Sequence, residues 1–429
     1  MGILPRFADQ WVLTRILKAT GQAPIRLVVK GGADVSPPGV SPVATVVLQD
    51  RNTLAGLLRD PEVSFGDAYM DGKIEVEGDF VRFLEEIYLA MGSAGDAKWY
   101  SRLASKWLDF WQDNSPDGSR KNIHRHYDLG NDFYKLWLDT QLVYTCAYFP
   151  APSSTLEQAQ IAKMDHVCRK LRLQPGETVV EAGCGWGALA LHMAREYGVS
   201  VKAFNVSREQ IAYARERAKA EGLDGQVEFV EDDYRAISGK FDVFVSVGML
   251  EHVGEAHFGE FSEVIHRSIG DTGRGLVHFI GRNRPGVFSR WIRKQIFPGA
   301  HTPSLRAALR ILEPKDYSVL DIENLRMHYA KTLEHWLERF EKSRQQVTAM
   351  YDSRFVRAWR LYLAGSIAAF RVGHLQLFQI LFTGSQREPL FWTRDPLYAG
   401  DLGGQPMAEG AKPVAEKVRE KVKWTHAMS

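Results

Sequence analysis

Val179-Val-Glu-Ala-Gly-Cys-Gly-Trp-Gly-Ala-Leu-Ala-Leu-His-Met-Ala194 is the stretch that decides the fold of this chain. It reads as a buried strand that ends in an acid, Glu181. Three glycines follow at alternate positions, Gly183, Gly185 and Gly187, and a helix begins after them. A strand, a glycine-rich turn and a helix form the nucleotide-binding start of a doubly wound sheet. The glycines allow the backbone to pass close to a ligand because no Cβ stands in the way.

The glycine spacing is Gly-x-Gly-x-Gly, which differs from the Gly-x-Gly-x-x-Gly of dinucleotide-binding proteins. A turn without a pyrophosphate cradle suits S-adenosylmethionine better than NAD. The acid before the turn can hold the methionine ammonium group, directly or through water. A plain glycine-rich turn without a ligand is the alternative. The stretch therefore predicts an S-adenosylmethionine site.

Strands and helices alternate on both sides of this turn. We predict strands at 178–181, 200–204, 227–230, 241–247 and 275–280, and helices at 156–171, 189–196, 208–220 and 258–268. This alternation predicts an α/β fold with a doubly wound, mostly parallel, Rossmann-like methyltransferase sheet. Ligands of such sheets bind at the carboxyl ends of the strands.

Polar residues stand at those strand ends. The second strand ends in Asn205, where an acid usually holds the ribose hydroxyls. An amide can also bond a hydroxyl, and Gln210 in the next helix can share this task. Asp232 or Asp233 after the third strand is placed to meet the adenine amino group. The convergence of these residues strengthens the prediction of an S-adenosylmethionine site.

The length of 429 residues predicts more than one domain. We expect a small α+β N-terminal domain over 1–95 for lipid docking or homodimer contact, and a linker over 96–120. The catalytic domain is expected over 121–394 and a basic tail over 395–429. Within the catalytic part, residues 124–134 and 142–149 precede the glycine-rich turn and are predicted to fold over it as a lid.

The composition limits the cellular setting. The chain has no run of eighteen apolar residues, and its N-terminus carries charged residues where a signal peptide would be apolar. Three scattered cysteines do not suggest a disulfide framework or a zinc site, so we expect no metal and a reducing cytoplasm. The formal charge of +2 gives no indication of nucleic acid.

Two segments have features of membrane-surface elements. Residues 1–20 predict a short helix, for packing or for a membrane surface, with its apolar residues roughly on one side: Phe7, Trp11, Leu13, Ile16 and Leu17. Residues 281–299 contain five basic residues, no acid and several interleaved aromatics. This pattern favours contact with anionic phospholipid, and the alternative is a helix whose apolar side packs on the sheet.

The chain resembles the cyclopropane-fatty-acyl-phospholipid synthases and their relatives that act on mycolic acids. The motifs cover most of the chain: Phe65-Gly-Asp-Ala-Tyr-Met-Asp-Gly, His126-Tyr-Asp-Leu-Gly-Asn-Asp-Phe, Tyr144-Thr-Cys-Ala-Tyr-Phe, Glu181-Ala-Gly-Cys-Gly-Trp-Gly, Ser246-Val-Gly-Met-Leu-Glu-His-Val-Gly, His278-Phe-Ile-Gly, Trp291-Ile-Arg-Lys-Gln-Ile-Phe-Pro-Gly and His328-Tyr-Ala-Lys-Thr-Leu. The resemblance implies methylene transfer from S-adenosylmethionine to a cis double bond of a phospholipid acyl chain.

The same resemblance implies a bound bicarbonate that deprotonates a carbocation. Its binding set corresponds to Cys146, Glu251, His278, Ile280 and Tyr329, and the cofactor set begins with Tyr144 and Thr145. A carbocation requires an apolar pocket without loose water. A small anion there requires donors, and Glu251 can contact it only if one partner carries a proton, which raises the pKa of the acid.

The product and the setting follow from the same resemblance. Phe279 replaces the threonine that is usual in the family, and we expect it near the pocket, where it can alter the product. Residues 332–382 are predicted to form two long helices whose aromatics wall an acyl tunnel. The enzyme would act as a cytoplasmic, peripheral protein on the inner face of a membrane. The alternatives are a branched acyl product and, further off, a soluble-amine N-methyltransferase.

Overall fold

Two sheets of different size make up the fold, in a computed structural model that describes residues 3–93, 129–286, 288–386 and 393–398. The smaller sheet contains β1 (Ile25–Val29), β2 (Asp34–Val35), β3 (Ala44–Leu48) and β4 (Ile74–Gly78), in the order β2-β1-β3-β4. Four helices accompany it, namely α1 (Ile3–Ala19), α2 (Arg51–Arg59), α3 (Pro61–Met70) and α4 (Phe80–Ser93). Strands β1 and β3 bury every second residue because one face of this sheet packs on helices.

Helix α1 is confirmed, but its apolar residues do not share one side. Leu13 and Leu17 are buried against the small sheet and its helices. Phe7 and Trp11 are instead 68% and 58% exposed. Because Phe7, Trp11 and Arg15 are spaced four residues apart, they form one outward stripe, in which Arg15 lies 4.7 Å from the Trp11 ring.

The larger sheet positions the glycine-rich turn. Its strands are β5 (Thr178–Ala182), β6 (Ser200–Asn205), β7 (Val227–Glu231), β8 (Val243–Val247), β9 (Arg274–Gly281), β10 (Ser318–Asn324) and β11 (Gln376–Thr383), in the order β10-β11-β9-β8-β5-β6-β7. Strands β5 to β9 run parallel, whereas β11 and β10 are antiparallel additions beside β9. The predicted α/β, mostly parallel, doubly wound sheet is confirmed.

Helices connect and cover these strands. In chain order they are α5 (Asn131–Lys135), α6 (Leu156–Leu171), α7 (Ala188–Tyr197), α8 (Arg208–Ala220), α9 (Leu250–Val253), α10 (Phe258–Ile269), α11 (Arg290–Gln295), α12 (Leu305–Leu309), α13 (Arg326–Lys342), α14 (Arg344–Met350) and α15 (Ser353–Arg371). Helix α6 begins at a capping box between Thr155 and Gln158, which satisfies backbone N–H groups at its first turn. Its bounds agree with the predicted helix at 156–171.

The prediction of two long helices over 332–382 is wrong at its C-terminal end. Three helices occupy the region up to Arg371, and residues Gln376–Thr383 form β11 inside the sheet. All eight residues of β11 are buried, because strands on both sides and helices on both faces cover it. A strand buried on both faces loses the alternation of apolar and polar residues that marks strands in a sequence.

The order of the strands creates a switch point beside β5. The chain passes from β5 to β6 on one side and later returns to β8 on the other side. Connections that diverge in this way leave a crevice outside the carboxyl ends of the two central strands. Glu181 on β5 and Gly248 after β8 stand at this crevice.

The basic segment at 281–299 does not lie free on the surface. Arg290 pairs with Asp60, and the Lys294 ammonium group lies 2.7 Å from an Asp67 oxygen, so both cations bind acids beside or on α3. Trp291 is 4% exposed and packs so closely on α3 that a Cβ at Gly66 would lie 2.2 Å from its ring. The predicted lipid-contact segment is therefore largely an internal contact of the protein.

The C-terminal part forms a separate unit, Phe391–Ser429, apart from Met1–Leu390. Within it, α16 (Asp395–Tyr398) is described. The predicted linker at 96–120, the tail beyond 398 and residues 124–128 of the predicted lid lie outside the described residues, and the domain boundaries stay predictions. None of the described helices has the length and apolar character needed to cross a bilayer.

Candidate active site

A cleft with a cavity volume of about 120 Å³ opens at the switch point, outside the carboxyl ends of the central strands. Seven of the predicted cofactor-binding residues line it: Tyr144, Thr145, Glu181, Gly183, Gly185, Asn205 and Gln210. Apolar side chains, among them those of Leu189, Val247 and Met249, also line the cleft. The structure thus brings most of the predicted cofactor set together around one cavity.

Glu181 is the acid of this cleft. Its side chain is 2% exposed, and its Oε2 atom has no hydrogen-bond partner among the described residues. Burial raises the pKa of Glu181 to about 7, although the nearby Lys163 acts to lower it. A buried carboxylate with an unused oxygen fits a cationic ligand group such as the ammonium of S-adenosylmethionine, because buried charges require a partner.

Lys163 on α6 also lines the cleft and was missed in the sequence. It is 2% exposed, and its Nζ donates to the Thr145 hydroxyl over 3.1 Å. Burial lowers the pKa of Lys163 to about 8, while Asp139 and Glu181 act in the opposite direction. A lysine in an amphipathic helix is usually solvated, so its sequence context gave no signal of this role.

Two amides occupy the place where an acid was expected. Asn205 donates from Nδ2 to the Gln210 Oε1 atom over 2.6 Å and to the Gly185 carbonyl over 3.3 Å. The buried Nε2 of Gln210 has no partner within the described residues. An unused amide donor at the end of β6 fits a ligand hydroxyl, and this agrees with the predicted contact to ribose.

The glycines of the turn have different roles. Gly185 has φ of +55° and lines the cleft, and a Cβ there would have no protein atom within 4 Å. At Gly187, φ is +81° and a Cβ would lie 2.6 Å from the Phe229 ring. Gly187 lies outside the cleft lining and packs between α7 and β7, so its contact with the ligand stays a prediction.

The two acids after β7 lie beside the cleft but outside its lining. The Asp232 backbone N–H donates to the Asn205 carbonyl, which places it next to the amide pair. The Asp233 carboxylate contacts the Arg235 guanidinium at 3.0 Å and also accepts from the Arg235 backbone N–H. Asp233 therefore has a structural partner in Arg235, and the contact of Asp232 or Asp233 with adenine stays a prediction.

Aromatic residues form one wall of the cleft. The Tyr144 hydroxyl lies 2.9 Å from that of Tyr362, and its ring packs 5.3 Å from Trp336. Trp186, which the sequence did not single out, packs 4.9 Å from the Tyr134 ring. These rings belong to a large buried aromatic cluster that includes Phe133, Trp137, Trp359 and Phe370. An apolar, water-poor compartment therefore adjoins the cofactor cleft.

Glu251, His278 and Ile280 form a second polar group behind the cleft. The Glu251 Oε1 atom accepts from the Ile280 backbone N–H over 2.6 Å. Its Oε2 atom and the Nε2 atom of His278 are buried and have no partner within the described residues. Burial raises the pKa of Glu251 to about 7 and lowers that of His278 to about 3. Two unused polar atoms in one buried region fit a small polar or anionic ligand.

Cys146 and Tyr329 belong to the same apolar core as Ile280. The Cys146 thiol lies 3.1 Å from the Ala147 carbonyl, and burial raises its pKa far above the ordinary value, so it remains a thiol. The Tyr329 ring packs 4.7 Å from that of Phe370. The backbone N–H of Leu325, one turn before Tyr329, donates to the Leu377 carbonyl on β11. Leu377 in turn pairs with Ile280 on β9.

Phe279 is not near the pocket. It alternates with His278 and Ile280 along β9, so its side chain points to the other face of the sheet. There it is completely buried, and its ring packs 5.8 Å from that of Phe378 in a separate core. The expectation that Phe279 lies near the pocket is therefore wrong.

Known protein families and individual relatives match most of this chain. The profile of the mycolic acid cyclopropane synthetase family matches residues 114–380, and that of a domain of unknown function (DUF7884) matches residues 13–98. A probable fatty acid methyltransferase of Pseudomonas putida is 37% identical over 374 residues, which are 84% of this chain and 93% of that protein. The cyclopropane-fatty-acyl-phospholipid synthase of Escherichia coli (strain K12) is 34% identical, over 79% of this chain and 88% of that protein.

Solved structures give the same result. The mycolic acid cyclopropane synthase CmaA1 complexed with SAH and CTAB superposes with a TM-score of 0.59 at 30% identity. The match covers 61% of this chain and 97% of that protein. The SAH in that complex supports the binding of S-adenosylmethionine or SAH by this chain. The chain therefore belongs to the mycolic acid cyclopropane synthetase family of S-adenosylmethionine-dependent methyltransferases.

Proposed function

We propose that the protein transfers a methylene group from S-adenosylmethionine to a cis double bond of phospholipid acyl chains, which gives a cyclopropane ring. The observation that carries the proposal is the pair of unused buried atoms, Glu251 Oε2 and His278 Nε2, behind the cofactor cleft. The Pseudomonas putida and Escherichia coli relatives, a probable fatty acid methyltransferase and a cyclopropane-fatty-acyl-phospholipid synthase, support an acyl substrate.

In this proposal S-adenosylmethionine supplies the methyl group, and a bound bicarbonate supplies the base that removes a proton from the carbocation. Glu251 would hold a proton on Oε2 and donate it in a hydrogen bond to the anion, since its raised pKa keeps the carboxyl partly protonated near neutral pH. His278 would donate from Nε2. The Ile280 N–H holds Oε1 of Glu251 and thereby fixes the carboxyl in place.

The aromatic cluster would protect and stabilise a carbocation. The Tyr329 ring lies 4.7 Å from that of Phe370 and 6.0 Å from that of Trp336, by centroids. Their π faces attract a cation more strongly where water is absent. Buried rings also exclude the water that would trap the cation as an alcohol. Cys146, as a buried thiol, would contribute shape and not a nucleophile.

The proposed substrate requires contact with a bilayer. The exposed stripe of Phe7, Trp11 and Arg15 on α1 combines aromatic and basic residues, as do helices that lie at the headgroup level. We therefore propose a peripheral protein on the inner face of the membrane, with α1 as the docking element in place of the segment at 281–299. Arg290 and Lys294 of that segment are engaged by acids of the N-terminal part.

Proton NMR of recovered lipid tests the proposed reaction. The enzyme is incubated with S-adenosylmethionine, bicarbonate and oleoyl phospholipid vesicles, and high-field cyclopropane protons are expected. A Glu251→Leu variant cannot donate a hydrogen bond to the anion and should lose activity by about 10- to 100-fold, the range for a hydrogen bond to a charged group. Glu255→Leu is the matched control, because Glu255 lies four residues away and pairs with His301.

The outcomes separate the candidate functions. Vinylidene or methyl-branch protons would support the second candidate, a fatty-acyl transferase with a branched product, which the name of the Pseudomonas putida relative favours. Unchanged lipid together with methylation of a soluble amine would contradict an acyl substrate altogether. Mass alone does not decide, because a ring and a methylene branch are isomers.

A further inference from the structure

Gln379 lies between His278 and a cluster of buried charges. Across β10, β11 and β9 the register pairs Glu323 with Gln379 and Gln379 with His278. Residues paired in this way on neighbouring strands project from the same face of a sheet. Gln379 is 0% exposed, and its Nε2 atom lies 3.0 Å from the Nδ1 atom of His278.

The contact determines where the imidazole carries its proton. The amide Nε2 of glutamine only donates, so the Nδ1 atom of His278 must accept. A neutral imidazole has a single N–H, which must then be on Nε2. Burial and the nearby Lys163, Lys170 and His166 lower the pKa of His278 to about 3, against the opposite effect of Glu323, so the ring is neutral at pH 7.

The charges beyond Gln379 explain why an amide suits this position. Glu323 binds the Lys170 ammonium at 2.6 Å and the His166 ring at 2.7 Å. A carboxylate in direct contact with His278 would favour an imidazolium or place the N–H on Nδ1. The neutral Gln379 separates His278 from that cluster and still provides a donor.

We propose that Gln379 is a positioning residue that fixes the tautomer of His278 with its N–H on Nε2. That N–H is the unused buried atom of the proposed anion site, so the tautomer presents a donor to the anion. With the other tautomer, the Nε2 lone pair would repel an anion. The assignment of bicarbonate as the anion that accepts from Nε2–H rests on the proposed function, whereas the assignment of the tautomer does not.

Nitrogen-15 NMR of the imidazole reads the tautomer directly. In the full-length protein, the His278 resonances are identified by their loss in a His278→Asn variant. We expect the wild type to be protonated on Nε2, and Gln379→Met, which removes the donor at similar volume, to populate the Nδ1–H tautomer. A wild-type protein protonated on Nδ1, or a Gln379→Met variant with an unchanged tautomer, would overturn the proposal.

Gln376→Met is the matched control. Gln376 is also a buried glutamine of β11, but it bonds the Gly373 carbonyl and Asn324. The Gln376→Met variant should leave the His278 tautomer unchanged. An equal shift of the tautomer in both variants would mean that any disturbance of β11 changes it. That result would overturn a specific role for Gln379.

Activity measurements separate this proposal from the proposed function. For Gln379→Met we expect the bicarbonate concentration that gives half-maximal activity to rise about 10- to 100-fold, the range for a hydrogen bond to a charged group. The kcat at saturating bicarbonate should change less. If wild-type activity does not depend on bicarbonate while the tautomers behave as expected, the anion proposal fails and the role of Gln379 stands.

Discussion

The carboxyl of Glu251 and the backbone N–H of Ile280 form a hydrogen bond of 2.6 Å between α9 and β9, while the other carboxyl oxygen is buried without a partner in the described part of the chain. Oε1 thus holds the side chain in place, and Oε2 can form a hydrogen bond with a ligand. A buried carboxyl in such a site is more stable with a proton than without one. This arrangement makes the stability of the protein depend on pH.

The first prediction concerns that dependence. Burial raises the pKa of Glu251 from 4.5 to about 7, so between these values the folded protein holds a proton that the unfolded chain releases. The stability contributed by the neutral carboxyl is complete below pH 4.5 and is lost as pH rises through 7, by up to ~3 kcal/mol. Urea denaturation at pH 5 and pH 8 should show a smaller loss for Glu251→Gln than for the wild type. Equal losses in both proteins would contradict the buried, protonated carboxyl.

The second prediction concerns Lys163. Removing its charge in Lys163→Met should raise the pKa of Glu181 further, because Lys163 is the group that acts to lower it. We propose Glu181 as the partner of the ligand ammonium, and a less ionised carboxyl should then lower SAH affinity about tenfold at pH 7 and more at lower pH. Calorimetric titration of SAH between pH 6 and 8.5 measures this.

Lys170→Met serves as the control for Lys163. It is another buried lysine of α6, but it pairs with Asp321 and Glu323 outside the cleft lining. It should reduce stability and leave the pH dependence of SAH affinity unchanged. If Lys170→Met changed that dependence as much as Lys163→Met, a local effect on Glu181 would be ruled out.

The third prediction separates two glycines of one motif. Gly187→Ala should destabilise the fold by several kcal/mol, because the new Cβ meets the Phe229 ring at 2.6 Å in addition to the strain of a positive φ. Gly185→Ala should cost only ~1–2 kcal/mol for its φ of +55°. Its Cβ enters the cleft, so it should weaken SAH binding strongly.

Thermal unfolding and SAH titration of the two variants check this separation. Purified Gly187→Ala protein that remains folded at low temperature should still bind SAH. Tight SAH binding by Gly185→Ala would mean that the ligand does not approach the backbone at this turn.

The predictable part of the fold came from local patterns. Strands β5 to β9 and the helices between them alternate in the sequence, which predicts a parallel sheet. The carboxyl ends of parallel strands meet at one edge, and this placed Glu181 and Asn205 together at the cleft. Strand β11 was missed because burial on both faces removes the alternation of apolar and polar residues. Lys163 was missed because its burial depends on Thr145 and Glu181, which arrive from distant parts of the chain.

The face of a strand residue was harder to assign than the strand itself. His278, Phe279 and Ile280 are consecutive, and their motif gives no indication of which of the two cores each side chain joins. The structure assigns Phe279 to the core beside Phe378 and Ile280 to the aromatic core. The sequence motif thus identified the strand but gave the wrong face of the sheet for Phe279.

The fourth prediction follows from that assignment. Phe279→Leu should leave the product unchanged, because the side chain does not reach the cleft or the aromatic core. It should lower stability by ~1–2 kcal/mol through lost volume in the core around Phe378. Proton NMR of the lipid product and a thermal melt measure the two effects. A change in the ratio of ring to branched product would show that the residue acts on the reaction.

The fifth prediction concerns the membrane. The sequence favoured the basic segment at 281–299 as the lipid contact, whereas the structure pairs Arg290 and Lys294 with acids and exposes Phe7 and Trp11. Replacing Phe7 and Trp11 together by serine should reduce cosedimentation with anionic phospholipid vesicles by about tenfold or more, because each buried aromatic contributes over 1 kcal/mol to partitioning. The double variant Arg290→Gln, Lys294→Gln should bind vesicles nearly as the wild type does, but with a lower melting temperature from the lost ion pairs. If only the Arg290→Gln, Lys294→Gln variant lost vesicle binding, the basic segment at 281–299 would be the membrane contact. The exposed stripe of α1 would then not be the docking element.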